Sequence, residues 1–295
     1  MINVFNKIKI LVLKQNLLPI SDETYLKKMF KIKLGRELNL KTPQTLNEKL
    51  QVIKLYDRKD IYTTMVDKVA VKKYVETLID KKYVIPTFFV YNNVDEINIE
   101  KLPNKFVMKS SHNSGNVVIC ENKEKFNLKK AKKILKKSLK DKYYLYYREY
   151  PYKNVTPKII VEEYLGANVK DYKIQCFNGK VDNILVCTGR NTKEGVKYFY
   201  FDTNWNYLDY CPYENGCNMA KQITKPKKLK EMIEIAETLS KGLPEIRVDL
   251  YYVNNKIYFG ELTLFTNAGF DNTITYTADL IMGSKLDLGD IKNEN

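Results

Sequence analysis

Two β-rich runs, Arg247–Val253 and Lys256–Thr263, are separated only by Asn254-Asn255. Such a dipeptide favours a type I′ turn, whose two central residues take positive φ. The runs are therefore expected to pair as an antiparallel hairpin, with alternate side chains of each strand sharing a face. Arg247 and Asp249 are two apart, as are Glu261 and Thr263. Carboxylates from adjacent strands can converge on one hard cation, and magnesium commonly takes one or two carboxylates with substrate phosphates. The planar donor fork of a neighbouring arginine suits a phosphoryl group. The plain alternative is a salt-bridged hairpin.

The rest of the chain reads as helices and mostly antiparallel strands. Thr45 to Glu48 fits a capping box, so a helix through Leu50, Ile53 and Leu55 is expected. A second helix opens at Asp67-Lys68 with the stripe Val71, Tyr74, Val75 and Leu78. Val84–Val90 is β-rich. Phe106–Lys109 and Val117–Cys120 flank the polar loop Ser110–Asn116, which predicts a hairpin with a donor-rich tip. Leu128–Lys142 reads as a helix carrying eight lysines and is followed by a crowd of tyrosines. Strands are expected at Lys158–Leu165, Tyr172–Phe177, Val181–Cys187 and Lys197–Phe201, with an amphipathic helix at Lys227–Gly242. This is an α+β pattern. The strand spacing is too irregular for a Rossmann or TIM arrangement, and neither GxGxxG nor GxxxxGK[ST] is present.

Composition narrows the function classes. At 295 residues and 44% hydrophobic, the chain can bury a substantial core, which excludes disorder as its main state. The net charge of +15 points to an acidic partner: nucleotide phosphates, an anionic polymer, nucleic acid or a membrane face. Abundant Lys, Asn, Ile and Tyr fit compositional drift equally well. Five cysteines without CxxC spacing argue against a disulfide framework and a zinc site, and for a reducing compartment. No apolar run approaches the ~18 residues of a membrane span. The N-terminal segment is broken by Lys7, Lys9 and Lys14; Phe5, Ile8 and Val12 share a helical face. That face can cap the protein or dock on a membrane surface.

Three further groups can carry chemistry. Lys109 ends a strand before Ser110–Gly115, where a lysine and backbone amides can approach one anion. His112, the single histidine, sits in this loop as a candidate for phosphate contact or proton transfer. Glu162 to Gly166 ends another strand at carboxylates and a glycine. Backbone groups there can hold an adenine edge, and Asp171 can take a ribose hydroxyl. With one histidine, no Ser-His-Asp or Cys-His order is legible. The lysine helix beside the tyrosines reads as a solvated face over packed rings, as a lid on substrate, or as a polyanion surface.

In order, Asp67-Lys68, Lys109 with its loop, Glu162 to Leu165, Asp171, Arg247-Asp249 and Glu261 resemble the ATP-grasp superfamily. The stretches Leu46 to Gln51, Lys54 to Asp57, Phe106–Gly115, Asp171 to Lys173 with Phe177 to Lys180, Arg247–Tyr251 and Phe259 to Thr263 resemble its TupA-like branch from bacterial surface-polysaccharide loci. The likeness spans roughly residues 22–290. It implies an α+β ATP-grasp fold, two subdomains clasping ATP, with a helical N-terminal region (1–66), a small subdomain (67–165) and a large one (166–295). It implies an ATP-dependent carboxylate–amine ligase acting through an acyl phosphate on a uronic-acid or amino-acid carboxylate. A phosphotransferase or glycosyl-transfer enzyme of the same loci, or a binding module for anionic polymer or nucleic acid, is the alternative.

Carried onto this sequence, the resemblance assigns Lys68 and Lys109 to phosphates and Ser111–Gly115, with Ser114, to a flexible loop over them. Glu162 and the backbone of Glu163 and Leu165 fall to adenine, and Asp171 falls to ribose. Asp249 and Glu261 fall to Mg2+, and Arg247 to the γ-phosphate, leaving Lys109, Arg247 and His112 as the catalytic candidates. Thr263 stands where many superfamily members carry a metal-binding asparagine, with Asn267 as a substitute. Lys173 and Arg190 both remain open for a further phosphate contact. The implied cofactors are ATP and Mg2+. The implied partners are an acid, small or on a glycan precursor, and an amine, without nucleic acid. The implied setting is the cytoplasm, with docking at the inner membrane face left open.

Overall fold

The computed structural model describes residues 10, 11, 14, 20–167, 169–189 and 195–292. Arg190 and the apolar face of Phe5, Ile8 and Val12 lie outside the described residues. Two antiparallel sheets carry the architecture. Strands β1 (Thr87–Tyr91), β2 (Phe106–Ser110), β3 (Val118–Cys120) and β4 (Ile159–Glu163) form the smaller, in the order β1-β4-β2-β3. The larger takes β5 (Lys170–Phe177), β6 (Lys180–Thr188), β7 (Lys197–Phe201), β8 (Tyr207–Leu208), β9 (Glu245–Val253) and β10 (Lys256–Thr263), in the order β10-β9-β5-β6-β7-β8. Among the described residues no helix is long and apolar enough to cross a membrane.

Turn chemistry sets the large sheet. Asn254 and Asn255 adopt φ 50 and 59°, closing the β9–β10 hairpin as the dipeptide predicts. Asn178 and Gly179, at φ 49 and 77°, close β5–β6 in the same way. One face of this sheet is apolar: Ile174, Ile246, Val248 and Leu250 are fully buried. Met232, Ile235, Ala236 and Leu239 of the helix Leu229–Ser240 belong to the same core. The opposite face carries the ionisable groups.

The N-terminal helices join the large sheet's core. Helix α1 (Asp22–Leu34) is capped by Ser21 and stopped by Gly35 at φ 72°. Helix α2 (Leu46–Tyr56) has the full capping box of Thr45 and Glu48. Leu46, Leu50 and Ile53 of α2, with Val71, Val75 and Val84, pack with the large sheet, not the small one. The helix after Lys68 is shorter than its stripe suggests, running Ala70–Glu76, so Leu78 falls outside it and is 40% exposed. The small sheet's core is separate, with Phe106, Met108, Ile159 and Val161 against Ala131 and Leu135 of the lysine helix Leu128–Leu139. The tyrosines after it form short 3-10 turns, Tyr143–Tyr146 and Tyr150–Asn154.

Candidate active site

The register of the large sheet builds the first half of the site. Asp249 on β9 faces Lys173 on β5 and Glu261 on β10, and Arg247 faces Gln175 and Thr263. Glu261 reaches this row through a β-bulge. Pairing runs Phe259 with Leu250 and then Glu261 with Asp249, leaving Gly260 as the extra residue. Without the bulge Glu261 would lie opposite Val248, on the apolar face. A Cβ on Gly260 would sit 3.0 Å from the Asp249 carbonyl oxygen and 3.1 Å from the Tyr251 ring, so a side chain there crowds both.

Asp249 is the hub of this half and is 2% exposed. Arg247 donates from Nε to Oδ1 at 2.6 Å and from an Nη to Oδ2 at 2.9 Å, and Lys173 donates to Oδ2 as well. Burial pushes Asp249 up, but the charges of Arg247 and Lys173 outweigh it and hold the carboxyl below its ordinary range. Lys173 also pairs with Asp171 at 3.0 Å; burial pulls its ammonium down, and Asp249 more than restores it. Glu261 is freer, with its side chain 42% exposed and 3.6 Å from Arg247. The Thr263 hydroxyl accepts from Arg247 at 3.0 Å and donates to Glu261 at 3.5 Å.

The second half hangs on the small sheet. Glu162 on β4 is buried and takes two ion pairs of 2.5 Å, from Lys109 on β2 and from Lys72 on the helix Ala70–Glu76. Burial favours its neutral form, but Lys109 and Lys72 together hold it below the ordinary carboxylate range. The Glu162 carboxylate, expected at adenine, is thus occupied with lysines. Lys72 was not legible in the sequence. It reads as one of two adjacent lysines on a short helix, and nothing there announces that it also bonds the Ile85 carbonyl and the Thr87 hydroxyl. Lys68 lies beside this group, donating to the Asn113 carbonyl at 2.5 Å, and burial lowers its ammonium.

The loop after Lys109 is only partly exposed. Only its tip, Ser114 to Asn116, is exposed, while Ser111, His112 and Asn113 are buried. Asn113 donates to the Ser138 hydroxyl at 2.9 Å, and Ser111 bonds Lys158. His112 Nε2 lies 3.0 Å from the Asp141 carbonyl, and burial depresses its pKa. The upstream half of the loop is thus packed into the fold, leaving Ser114 to Asn116 as its exposed part.

A cleft of about 850 Å³ separates the two sheets. Lys109, Glu162, Glu163 and Leu165 line one wall, Asp171 and Tyr251 the other, with Val107, Ile119 and Val186 supplying apolar surface. The Glu163 amide is spent on the Pro86 carbonyl at 3.0 Å, so an adenine contact there falls to its carbonyl. A second cavity of about 380 Å³ is lined by Lys68, Ser114, Arg247, Glu261, Thr263 and Asn267. Lys173 bridges the two, since it pairs with Asp171 in the first and Asp249 beside the second.

The donor set suits magnesium carried by phosphate. Among the described residues no cluster of three His, Cys, Asp or Glu can hold a metal alone. Asp249 and Glu261 offer hard oxygens across one strand pair, and the remaining shell must come from substrate. The Thr263 hydroxyl is engaged on both sides and is the poorer donor.

Sequence motifs far from the cleft turn out to support it. Phe265, Asn267, Ala268 and Gly269 all adopt positive φ in the turn after β10. From α2, Asn47 bonds both the amide and the carbonyl of Asp271, at 2.7 and 3.2 Å. Gln51 donates to the carbonyls of Ala268 and Gly269, and Lys54 donates to Ala268 at 2.7 Å. Non-glycine residues in left-handed conformations persist when such contacts over-determine them.

The profile of the TupA-like ATP-grasp family matches residues 48–287. Among solved structures the chain is similar to D-alanine–D-alanine ligase from Helicobacter pylori, at 15% identity and TM-score 0.44, over 82% of this chain and 69% of that one. It is also similar to D-alanine–D-alanine ligase from Bacillus anthracis complexed with ATP, at 16% identity and TM-score 0.45, over 79% and 69% of the two chains. L-amino acid ligase from Bacillus licheniformis is similar at 12% identity and TM-score 0.48, over 82% of this chain and 56% of that one. No curated protein sequence matches the chain.

Proposed function

The chain belongs to the TupA-like ATP-grasp family, with the fold of ATP-dependent ligases, and from that premise we propose that it joins a carboxylate to an amine through an acyl phosphate. The observation that carries this reading is the Lys173–Asp249–Arg247 cluster, whose ion pairs link Asp171 of one cavity to Arg247 and Glu261 of the other. One has room and apolar walls for a nucleoside, and the other offers charged groups where a γ-phosphate would meet an acceptor.

In this proposal the small sheet (within 67–165) and the large sheet (within 166–295) act as jaws behind the helical region 1–66. The purine lies between Val107, Ile119 and Val186, with its edge on the backbone of Glu163 and Leu165 and its ribose on Asp171. Lys68, Lys72 and Lys109 receive phosphate oxygens, held in place beforehand by Glu162 and the Asn113 carbonyl. Preorganised cations need no rearrangement as charge shifts during phosphoryl transfer. Arg247 faces the γ-phosphate from β9. Asp249 and Glu261 hold Mg2+, which neutralises phosphate charge. The substrate carboxylate attacks the γ-phosphorus and becomes an acyl phosphate, and an amine then displaces phosphate. Positioning and charge neutralisation are what these residues contribute.

The acid is proposed to be a uronic-acid or amino-acid carboxylate of a surface-polysaccharide precursor, and the need for ATP sets the reaction in the cytoplasm. The test is phosphate release from Mg-ATP with pooled uronic or amino acids and amines, read by mass spectrometry. Loss of water between acid and amine is expected. An added phosphate group in place of an amide, or no magnesium-dependent affinity for adenine nucleotides, overturns the reading.

A further inference from the structure

The cavity beside Arg247 and Glu261 also holds a buried carboxylate that the reading above does not use. Glu149 sits between the two tyrosine turns, is 5% exposed and lines that cavity with Tyr143 and Tyr152. Among the described residues no protein group pairs with its carboxylate, whose oxygens are not sealed from solvent but open to the cavity. The charged groups acting on it are Lys54, beyond ion-pair distance, and Glu245, which repels it. Lys54 is itself committed to three acceptors, Gln51, the Tyr147 carbonyl and the Ala268 carbonyl. Tyr143 and Tyr152 stack edge-on with centroids 4.8 Å apart, presenting aromatic surface beside the carboxylate.

We propose that this corner is the binding site of the amine substrate, a primary ammonium that meets the Glu149 carboxylate and the tyrosine rings, and that Glu149 is the base that deprotonates it. The site rests on the ligase reading above. A carboxylate and aromatic faces are complementary to an ammonium. Lys68 and Arg247 mark the phosphate end of the same cavity, so an amine held at Glu149 shares a cavity with the acyl phosphate. In the step, one ammonium proton passes to Glu149, and the nitrogen lone pair forms a C–N bond to the acyl carbon. The C–O bond to phosphate breaks, and the second nitrogen proton leaves with inorganic phosphate. Burial raises the Glu149 pKa, which suits a group that must accept a proton near neutrality.

Two measurements test this separately from the ligase reading. The first is binding of glycine amide, a small primary ammonium, to wild-type protein with a non-hydrolysable ATP analogue and magnesium. Saturable binding is expected, with at least about tenfold weaker binding of uncharged glycolamide and of glycine amide to Glu149→Gln. Equal binding of the two probes overturns the proposal. The second uses hydroxylamine, which is unprotonated at neutral pH and traps acyl phosphates without a base. Glu149→Gln should form the hydroxamate at close to the wild-type rate while amide formation falls about a hundredfold, the lower end for a lost general base. An equal loss of both overturns the role of Glu149. Glu149→Asp, which keeps the charge, should fall between. If wild-type protein forms no hydroxamate, the ligase reading fails, and the binding measurement still decides the ammonium site.

Discussion

Replacing Glu162 by glutamine keeps the side-chain volume and removes the charge that answers two lysines. In the native protein both ion pairs are 2.5 Å long, and the lysine side chains are 12% and 14% exposed. Breaking a buried pair by removing one partner costs about 3–5 kcal/mol. Lys72 keeps its bonds to Ile85 and Thr87, and both ammoniums retain some access to water. The lower end, about 3 kcal/mol, is therefore expected. In urea this is a midpoint shift of about 1 M or more at unchanged slope. The sign with pH follows from the depressed pKa of Glu162. Its contribution is complete above the ordinary glutamate value of about 4.3 and is lost as pH falls through the lower folded value. The gap between wild type and variant should thus be flat near neutrality and close in acid. A loss under about 1 kcal/mol at neutral pH, as a surface pair would give, or a gap that persists in acid, refutes the reasoning.

The two proposed magnesium ligands should separate in their stability effects. Glu261→Gln should leave the unfolding free energy from urea titration within about 0.5 kcal/mol of wild type, as surface changes do, and abolish magnesium-dependent ATP turnover. Asp249→Asn should lose turnover and also about 3–5 kcal/mol, because it strands Arg247 and Lys173; equal melting of the two variants contradicts this. Gly260→Ala should cost about 1–3 kcal/mol by crowding Asp249 and Tyr251, and lower nucleotide affinity by displacing Glu261, both readable in one calorimetric series. Gln51→Leu strips bonds from two buried carbonyls and from Lys54. A loss of about 3 kcal/mol is expected, with a raised KM for the acceptor at unchanged ADP affinity; an unchanged acceptor KM means that the α2 motif does not hold the turn at Asn267.

The sequence announced the β9–β10 hairpin through Asn254-Asn255, and the capping box at Thr45 through local chemistry alone. The convergence of Asp249 with Glu261 was a different matter. A two-residue hairpin in regular register puts Glu261 opposite Val248, so the expected meeting of carboxylates depends on the bulge at Gly260. The signal was present: Ile257 and Phe259 alternate, then Leu262 and Leu264 resume one residue out of phase. Lys72, Glu149 and the grip of Asn47, Gln51 and Lys54 on residues 268–271 were not legible, because each is a contact between segments distant in sequence. The helix Tyr276–Lys285 also went unread. Its apolar face is weak, and Gly283, which lets it lie against the backbone at Gln44, signals only proximity.

The same contacts explain why the strongly basic composition says little about the site. On the small-sheet side three ammoniums, Lys68, Lys72 and Lys109, lie about the buried carboxylate of Glu162, with Glu163 on the same wall. On the large-sheet side Arg247 and Lys173, with Lys170 at the cleft, face the carboxylates of Asp171, Asp249 and Glu261. The first wall is therefore net positive and the second balanced, although the chain as a whole carries +15. A free polyanion would be drawn to the first wall and not to the second. In the proposed site a polyphosphate that brings its own divalent cation would satisfy both at once, oxygens toward the lysines and metal toward Asp249 and Glu261. Lys68, Lys72, Lys109, Lys173 and Arg247 are each held by a carboxylate or carbonyl before substrate arrives, so binding exchanges their partners rather than ordering loose side chains. That unequal charge, set by register and burial rather than by composition, is what favours the proposed nucleotide site over a general anion-binding surface.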